Sequence, residues 1–255
     1  MAYRPGDFPQ WRRGDPVSAP VALVTGAAGG IGRAIVAGLA GAGWAVTATD
    51  LAEAGDVAGA DVTIPADLRG RDACRVVVDG VLARFGRLDL LVNNAATMTV
   101  VEPTVETMAL WWRDIEVNLT APLWLTQAAA APLRQSAGQV INACSISALR
   151  GEPGFSAYAA SKAGLLGMTR SLARELAPTI RVNAIAPGPT ETEQLNRDAE
   201  FQGVGLDELH RLYTAGMPTG RLVQPAEVAD LVVFLAGARS FTGECVQING
   251  GMLMS

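Results

Sequence analysis

The chain has 255 residues, of which 49% are hydrophobic and only 18% charged, against roughly 25% charged residues in typical soluble domains. This length allows one large domain, and the composition favours a compact protein with much buried surface. The formal net charge is −5 and the sequence contains no basic cluster, which argues against nucleic acid or an anionic membrane as a partner.

Three cysteines and one histidine limit the chemistry available to the chain. Cys74, Cys144 and Cys245 are far apart and show no metal or redox spacing, so we expect reduced thiols, no metal site and a cytoplasmic protein. The single histidine, His210, excludes a His-rich metal site and disfavours a Ser-His-Asp hydrolase. Residues 1–18 lack the apolar core of a signal peptide, and their prolines, glycines and charges predict a loose N-terminal arm.

Residues 19–255 are predicted to form one domain in which short β-branched runs alternate with longer alanine-rich segments, a pattern typical of βαβ units. Strands are predicted at 21–26, 44–50, about 60–66, 88–95, 139–145, 180–187 and 244–249. Helices are predicted at 30–42, 71–86, roughly 105–132, about 156–177 and 225–236. The predicted fold class is α/β: a single-domain Rossmann fold whose doubly wound, seven-stranded parallel sheet carries helices on both faces.

A glycine-rich loop, TGAAGGIG, stands where the first predicted strand gives way to the first helix. Gly26, Gly30 and Gly32 let the backbone turn tightly and approach a pyrophosphate, with Ile31 between the last two. The helix that follows directs free N–H groups and its positive dipole end at the phosphates. The loop therefore predicts a dinucleotide site.

Asp50 predicts which dinucleotide is bound. It ends the second strand, 18 residues after Gly32, close to the roughly 20 expected for a carboxylate that binds the adenosine ribose. Such a carboxylate repels a 2′-phosphate, and no Lys or Arg stands at 27–30 or 51–55 to neutralise one. We therefore expect NAD rather than NADP.

Tyr158 and Lys162 lie four positions apart in YAASK, so they would share one face of a helix. A free phenol has a pKa of about 10 and is a poor base at neutral pH. Positive charge from Lys162 and from an oxidised nicotinamide favours the phenolate, so a lowered pKa is expected for Tyr158. Small residues at 159–161 would let a cofactor lie against the helix.

Together these stretches resemble the short-chain dehydrogenase/reductase family over nearly all of residues 20–252. The matching stretches, in the family's order and spacing, are TGAAGGIG (25–32), DL (67–68), NNAA (93–96), VN (117–118), Ser145, YAASK (158–162), PGPTET (187–192) and NGG (249–251). The resemblance implies a catalytic role for each of Asn118, Ser145, Tyr158 and Lys162.

Each of these four residues takes a separate role by resemblance. Ser145 holds the substrate oxygen while Tyr158 takes or gives the proton. Tyr158 and Lys162 also contact the cofactor, Lys162 at the nicotinamide ribose. Asn118 resembles the family's helix-kinking asparagine, whose backbone carbonyl holds a water in a proton relay. Ser147 is the near competitor of Ser145, but the spacing to Tyr158 favours Ser145 and places Ser147 in the substrate pocket.

Further cofactor contacts are implied at three places. They are Asp67 and Leu68 beside the adenine, Asn94 and Ala95 near the adenosine ribose, and Pro187, Gly188, Thr190 and Thr192 over the nicotinamide carboxamide. Family resemblance also implies a homotetramer in which the helices near 105–132 and 156–177 pack across a subunit interface.

The implied activity is hydride transfer between NAD and a secondary alcohol or ketone. Residues 189–220 are expected to cover the substrate, and a small cyclic diol, polyol or sugar-like compound is favoured. A 3-oxoacyl-carrier-protein reductase is the alternative; Asp50 and the lack of a basic patch for an acidic carrier count against it. A non-catalytic dinucleotide sensor is a further alternative, but it would be expected to have lost Tyr158 or Lys162.

Overall fold

The computed structural model describes residues 19–100 and 108–254 of the chain. The predicted arm at 1–18 lies outside the described residues, and so do residues 101–107, which include the start of the helix predicted over 105–132. The described part forms one α/β unit around a single sheet.

The sheet has seven parallel strands in the order β3-β2-β1-β4-β5-β6-β7, so the order reverses between β1 and β4. The strands are β1 (Val21–Thr25), β2 (Ala45–Asp50), β3 (Val62–Pro65), β4 (Leu90–Asn93), β5 (Gln139–Ala143), β6 (Arg181–Pro187) and β7 (Cys245–Ile248). The predicted doubly wound sheet is confirmed. Strands β1 and β5 are buried along their whole length, as expected where helices cover both faces of a parallel sheet.

Helices flank the sheet on both faces. In the described residues they are α1 (Gly30–Gly41), α2 (Arg71–Phe85), α3 (Met108–Ile115), α4 (Ala121–Ser136), α5 (Ser147–Arg150), α6 (Ser156–Glu175), α7 (Gln194–Gln202), α8 (Leu206–Ala215) and α9 (Pro225–Gly237). Side chains of α1 and α9 pack on one face of the sheet, and those of α2, α4 and α6 pack on the other. None of the helices described is long and apolar enough to cross a membrane.

The helix predicted over 105–132 is not continuous. A π-helical turn, Glu116–Thr120, separates α3 from α4, and there the Ala121 N–H donates to the Glu116 carbonyl. Pro122 follows at once and has no N–H, so it cannot donate to the carbonyl of Asn118, four residues earlier. The wider turn accommodates the proline without ending the helical path.

Two connections determine the shape around the carboxyl ends of the strands. Between β2 and β3 only a 3₁₀ turn, Ala52–Ala54, is present, which agrees with the short connection in the sequence. The segment 189–220, irregular in its sequence pattern, instead forms the consecutive helices α7 and α8. Their apolar faces were hidden by the many polar residues on their exposed sides.

Candidate active site

Two adjoining concavities lie at the carboxyl ends of the strands, where ligands bind in doubly wound sheets. A long groove of about 800 Å³ runs over β1, β2 and β4, and a smaller cavity of about 230 Å³ lies beside α6, α7 and α8. They share the lining residues Ile31, Asn94, Ala96, Thr192 and Gln194. Of the predicted site residues, all except the buried Asn118 line one or both concavities.

Glycine is required by space at the loop between β1 and α1. Gly26 has a φ of +61°, and a Cβ there would lie 2.6 Å from the Cα of Ala95. A Cβ on Gly32 would lie 2.0 Å from the carbonyl oxygen of Gly26, and one on Gly30 would lie 2.8 Å from Cγ2 of Thr192. The groove floor is therefore bare backbone that a side chain would fill, which fits a closely approaching pyrophosphate.

The Asp50 carboxylate anchors this loop to the end of β2. Its Oδ2 accepts a hydrogen bond from the Ala28 N–H at 2.8 Å, and its Oδ1 accepts one from the Leu51 N–H at 2.8 Å. The carboxylate lines the groove beside Leu51 and Ala54. Its position on the second strand fits a partner for ribose hydroxyls.

Asn94 and Ala95 are held by the end of β1. The Asn94 side-chain amide donates to the carbonyls of Thr25 and Gly26 at 3.1 and 3.0 Å. The backbone N–H groups of Asn94 and Ala95 both donate to Oγ1 of Thr25, at 3.0 and 2.9 Å. These bonds lock the switch point between β1 and β4, where the groove passes.

Four guanidinium groups line the groove and were missed by the sequence analysis. They belong to Arg33, Arg69, Arg113 and Arg197, and they face three carboxylates, Asp50, Asp67 and Glu193. The chain carries a net charge of −5, yet this groove is balanced or slightly basic, which suits a pyrophosphate. Because the four arginines come from separate elements, only the fold reveals their grouping.

Asp67 and Leu68 occupy the far end of the groove. Arg69 donates to both oxygens of the Asp67 carboxylate, and this hydrogen bonding holds the pKa of Asp67 below its ordinary value. Leu68 is buried beneath the groove. The pair therefore offers one fixed carboxylate and one apolar surface, as a purine ring requires.

Ser145, Tyr158 and Lys162 meet at the floor of the smaller cavity. Ser145 follows β5, whereas Tyr158 and Lys162 lie one turn apart on α6. Lys162 is only 2% exposed, and its Nζ donates to the Ala143 carbonyl at 2.7 Å and lies 5.7 Å from the centre of the Tyr158 ring. The three residues are thus brought together as predicted.

Lys162 is also the only lysine in the chain, whose remaining 19 basic residues are arginines. This signal was not used to predict the site, although it can be read from the sequence alone. A buried position that takes lysine where every other position takes arginine indicates a need for a compact ammonium group, which can enter a narrow space and change its pKa on burial.

The protonation equilibria differ from the prediction. Burial raises the pKa of Tyr158 to about 12, although a hydrogen bond with the Ser145 side chain opposes the rise. Burial lowers the pKa of Lys162 to about 8. The chain's own residues therefore do not lower the pKa of Tyr158 as predicted, because desolvation of the phenolate outweighs them. A depression would require the positive charge of a bound, oxidised nicotinamide.

Asn118 lies in the π-helical turn and is fully buried. Its Nδ2 donates to the Thr97 carbonyl at 2.8 Å and to Oγ of Ser161 at 3.0 Å, and its Oδ1 accepts from the Thr97 N–H at 2.8 Å. The side chain thereby joins the segment after β4 to α6. Asn118 is held behind Tyr158 rather than in the cavity wall.

The loop after β6 forms the edge between groove and cavity. The Gly188 N–H donates to the Ile248 carbonyl at 2.9 Å, and a Cβ on Gly188 would lie 2.9 Å from the Cα of Asn249. Thr190 donates from Oγ1 to the Gly188 carbonyl at 2.9 Å. Pro187 and Thr192 complete the edge, so the four predicted loop residues are grouped.

The walls of the cavity were predicted only in part. Residues 189–220, expected to cover the substrate with apolar side chains such as Leu195 and Tyr213, do supply both of these and Asp198. The wall residues that were assigned no role include Met98, Ile146, Arg150, Glu152 and Phe155. Ser147 also lines the cavity, and its backbone N–H donates to Oγ of Ser145 at 3.1 Å. This bond orients the Ser145 hydroxyl towards Tyr158.

Comparison with known proteins agrees with this geometry. The sequence model of the family described as Enoyl-(Acyl carrier protein) reductase matches residues 26–253. A 3-oxoacyl-[acyl-carrier-protein] reductase of Escherichia coli is 38% identical over 251 residues, covering 92% of this chain and 97% of the relative. One from Synechocystis is 35% identical over 262 residues, covering 93% of this chain and 98% of the relative.

Two solved structures are similar throughout. Thermoplasma acidophilum aldohexose dehydrogenase superposes with a TM-score of 0.87 at 29% identity, covering 92% of this chain and 94% of that one. A variant of actinorhodin polyketide ketoreductase with NADPH gives 0.84 at 32% identity, covering 92% and 97%. With its sheet order, glycine loop and Ser-Tyr-Lys grouping, the chain belongs to the short-chain dehydrogenase/reductase family.

Proposed function

We propose that this protein interconverts a secondary alcohol and a ketone with a nicotinamide dinucleotide. The observation that carries the proposal is the grouping of Ser145, Tyr158 and Lys162 at the floor of a cavity that opens directly onto a glycine-floored groove. The dinucleotide, when bound in the groove, supplies the hydride donor or acceptor. All other chemistry belongs to side chains of this chain.

The proton moves at the hydroxyl oxygen of Tyr158. Ser145, oriented by the Ser147 N–H, holds the substrate oxygen next to this phenol. Lys162 stabilises the phenolate that remains after Tyr158 has protonated a ketone, and its lowered pKa of about 8 lets it exchange protons near neutral pH. The carbonyl of Asn118 receives no hydrogen bond from Pro122, which has no N–H, and it is therefore suited to hold the relay water.

The substrate favoured by the relatives is a 3-oxoacyl thioester, the alternative in the sequence analysis. Both curated relatives described above are 3-oxoacyl-[acyl-carrier-protein] reductases, and they align over more than 90% of the chain. A cavity of about 230 Å³ is below the roughly 300–1,000 Å³ of pockets for drug-sized ligands, so only the reacting end of an acyl chain would enter.

A second candidate is the small hydroxylated substrate favoured by the sequence analysis. Its specific support is the buried Asp198 carboxylate in the cavity wall, because an acyl chain could not donate a hydrogen bond to its second oxygen, Oδ2. The structural similarity to an aldohexose dehydrogenase agrees with this candidate.

For the cofactor, Asp50 favours NAD and the exposed Arg33 beside it favours NADP, which is present in the similar ketoreductase. We propose NAD, because both oxygens of Asp50 are fixed by backbone N–H groups. Asp50→Asn should raise kcat/KM for NADPH relative to NADH by roughly tenfold or more, the effect expected for one removed like charge in a partly buried site. Arg33→Gln is the control, and a wild-type preference for NADPH would contradict the proposal.

The reaction is tested by steady-state rates with NADH and NADPH on 3-oxoacyl thioesters, hydroxyketones and sugars. Tyr158→Phe should reduce kcat by roughly 10²–10⁴-fold, the usual contribution of a positioned general acid, while leaving dinucleotide affinity intact. Ser145→Ala should also lose activity, and Ser147→Ala serves as the matched neighbour whose kcat stays within a few-fold. Full activity in Tyr158→Phe would exclude this mechanism.

We further propose a cytoplasmic homotetramer, as family resemblance implies. Met108 and Trp112 on α3 are 51% and 53% exposed, an apolar surface consistent with burial against a second copy. Sedimentation of the purified chain would give the mass of the assembly directly.

A further inference from the structure

Helix α7 buries one charged residue together with two apolar ones. Leu195, Asp198 and Ala199 form its inward face, and Asp198 is only 8% exposed. Leu195 and Ala199 pack into the core that lies under α1 and α9, whereas Asp198 lines the cavity beside Tyr158. A charged residue on the apolar stripe of a helix normally costs stability, so its place in the cavity wall points to a use there.

One oxygen of this carboxylate is bound and the other is not. Oδ1 accepts a hydrogen bond from Nε2 of Gln194 at 3.0 Å, one turn earlier on α7. Within residues 19–100 and 108–254, no hydrogen bond reaches Oδ2. Burial raises the pKa values of Asp198, Tyr158 and Tyr213, and the charge of Asp198 adds to the rise at both tyrosines. All three side chains line the same cavity.

The other charges of the cavity are already paired or engaged. Arg150 donates to Glu152 at 2.7 Å, and Lys162 donates to the Ala143 carbonyl. Two cationic and two anionic side chains line the cavity, so its formal charge is zero. A balanced cavity favours a neutral substrate over an ammonium or a carboxylate, and the second oxygen of Asp198, which is open to the cavity, can accept a hydrogen bond from a donor on that substrate.

We infer that Oδ2 of Asp198 accepts a hydrogen bond from a second hydroxyl group of the substrate, so that the enzyme selects neutral hydroxyketones and diols over simple ketones and alcohols. Asp198 acts as a specificity-determining residue, because the proton and the hydride move elsewhere. This inference rests on the proposed alcohol–ketone interconversion, and it decides between the two substrate candidates.

Asp198→Asn tests the inference because it removes the negative charge in a side chain of almost the same shape. Gln194 donates to Oδ1 of Asp198, and its own amide can turn to accept from an asparagine there, so the variant presents either a carbonyl oxygen or an NH₂ group to the cavity. In neither orientation does it offer the substrate a charged acceptor. Glu200→Gln, an exposed carboxylate on the same helix, is the matched control.

The experiment measures kcat/KM for reduction of cyclohexanone, its 2-, 3- and 4-hydroxy derivatives and the corresponding methoxy ketones. The wild type should prefer the best hydroxyketone to cyclohexanone by roughly tenfold or more, as expected for a hydrogen bond to a charged acceptor. Asp198→Asn should reduce that preference at least several-fold because a neutral amide is a weaker acceptor than a carboxylate, and the methoxy ketones, which cannot donate, should not be preferred by the wild type. Glu200→Gln should leave both ratios unchanged. Ratios within one variant cancel any general loss of active enzyme.

The outcomes separate this inference from the proposed function. If ketones or 3-oxoacyl thioesters are reduced, but the wild type shows no preference for a hydroxyl group or Asp198→Asn leaves the ratio unchanged, the inference is wrong and the function stands. If no substrate reacts, the proposed function fails. Calorimetric titration of cyclohexane-1,2-, 1,3- and 1,4-diol into the NAD-loaded wild type and Asp198→Asn then decides the inference, because weaker binding to the variant supports it and absent or equal binding overturns it.

Discussion

The nucleotide groove and the substrate cavity share an edge but are built from different material. The groove is floored by backbone: Gly26, Gly30 and Gly32 allow close approach, and backbone N–H groups fix the Asp50 carboxylate. The cavity is walled by side chains from segments that are distant in sequence, from Met98 to Tyr213. The dinucleotide, which many enzymes have in common, contacts the groove. The substrate, which differs from one enzyme to another, contacts the cavity.

The two regions also differ in how their site residues affect the stability of the fold. In the groove, the site-forming residues are small and close to the sheet, so the loop that binds is also the loop that packs. In the cavity, Lys162 and Asp198 are buried charges that oppose folding. Substitutions of the groove glycines should therefore destabilise the protein. Substitutions that remove a buried charge from the cavity should remove a contribution that opposes folding.

Gly32→Ala should have the largest effect. The added Cβ would lie 2.0 Å from the Gly26 carbonyl oxygen and 2.8 Å from the Cα of Ala27, both backbone atoms that cannot rotate away. We expect a loss of about 3 kcal/mol in the free energy of unfolding, at the upper end of overpacking costs, together with loss of dinucleotide binding. Urea unfolding and NADH fluorescence titration measure the two effects.

Gly41→Ala is the matched control for this change. Gly41 ends the same helix α1, and a Cβ there would meet nothing within 4 Å. Alanine should be neutral or stabilising by up to about 1 kcal/mol because it restricts the unfolded chain. If the two variants had the same free energy of unfolding, the close backbone contact at Gly32 would not be what requires glycine there.

Lys162 provides the next effect, which depends on pH. Its pKa of about 8 in the folded protein lies below the ordinary 10.5, so between these values the unfolded chain binds more protons than the folded one. Stability from this group therefore rises with pH through that window, by roughly 2 kcal/mol from pH 8 to 10. Below pH 8 the protonated, buried ammonium gives the full penalty.

This prediction can be measured without ambiguity because the chain has one lysine. Labelling with ε-¹³C-lysine gives a single side-chain signal, and its titration should show a midpoint near pH 8. In urea unfolding, Lys162→Met should remove the rise in stability between pH 8 and 10 relative to the wild type. A midpoint above pH 10, with no difference in slope, would mean that burial does not penalise this ammonium.

The same division explains what the sequence could predict. Strand–helix alternation predicted all seven strands, and the spacing of Tyr158 and Lys162 predicted their common helical face, because both follow from local periodicity. Features built from backbone, such as the glycine loop, are encoded by a continuous stretch of sequence that can be recognised without the fold. Hence every residue predicted for the groove does line it, although the groove also contains four arginines that were not predicted.

What the sequence could not predict depends on contacts between distant segments. Arg33, Arg113 and Asp198 lie on three helices, and nothing local to any of them indicates a shared concavity or an unfilled acceptor. The π-helical turn itself was not predicted, although Pro122 in the interior of the helix predicted over 105–132 signals a break in its hydrogen bonding. The raised pKa of Tyr158 was not predicted because its main cause is burial, which only the fold defines and which the Ser145 hydrogen bond does not offset.

The smallest effect on stability is expected from a substitution of Glu227, in the first turn of α9, the helix that packs with α1 on one face of the sheet. Glu227 accepts from Arg221 at 2.8 and 2.7 Å and from the Gln224 N–H at 2.9 Å, and the Arg221 hydrogen bonds are the main reason that its pKa falls to about 2. A lowered carboxyl pKa stabilises the fold above the ordinary value near 4.5, and that contribution is lost as the pH falls towards 2. The pair is largely exposed, so Glu227→Gln should cost less than about 1 kcal/mol at pH 7.

The Glu227→Gln difference from the wild type, followed by urea unfolding, should shrink below pH 4.5, and dinucleotide affinity should not change. Asp230→Asn, an exposed carboxylate of the same helix, should show no such pH dependence. A cost above about 2 kcal/mol, or weakened NADH binding, would mean that α9 supports the glycine loop through α1 more directly than exposed charge pairs allow. The shape of the groove would then depend on side chains of α9 that do not line it, just as the shape of the cavity depends on the side chains that form its walls.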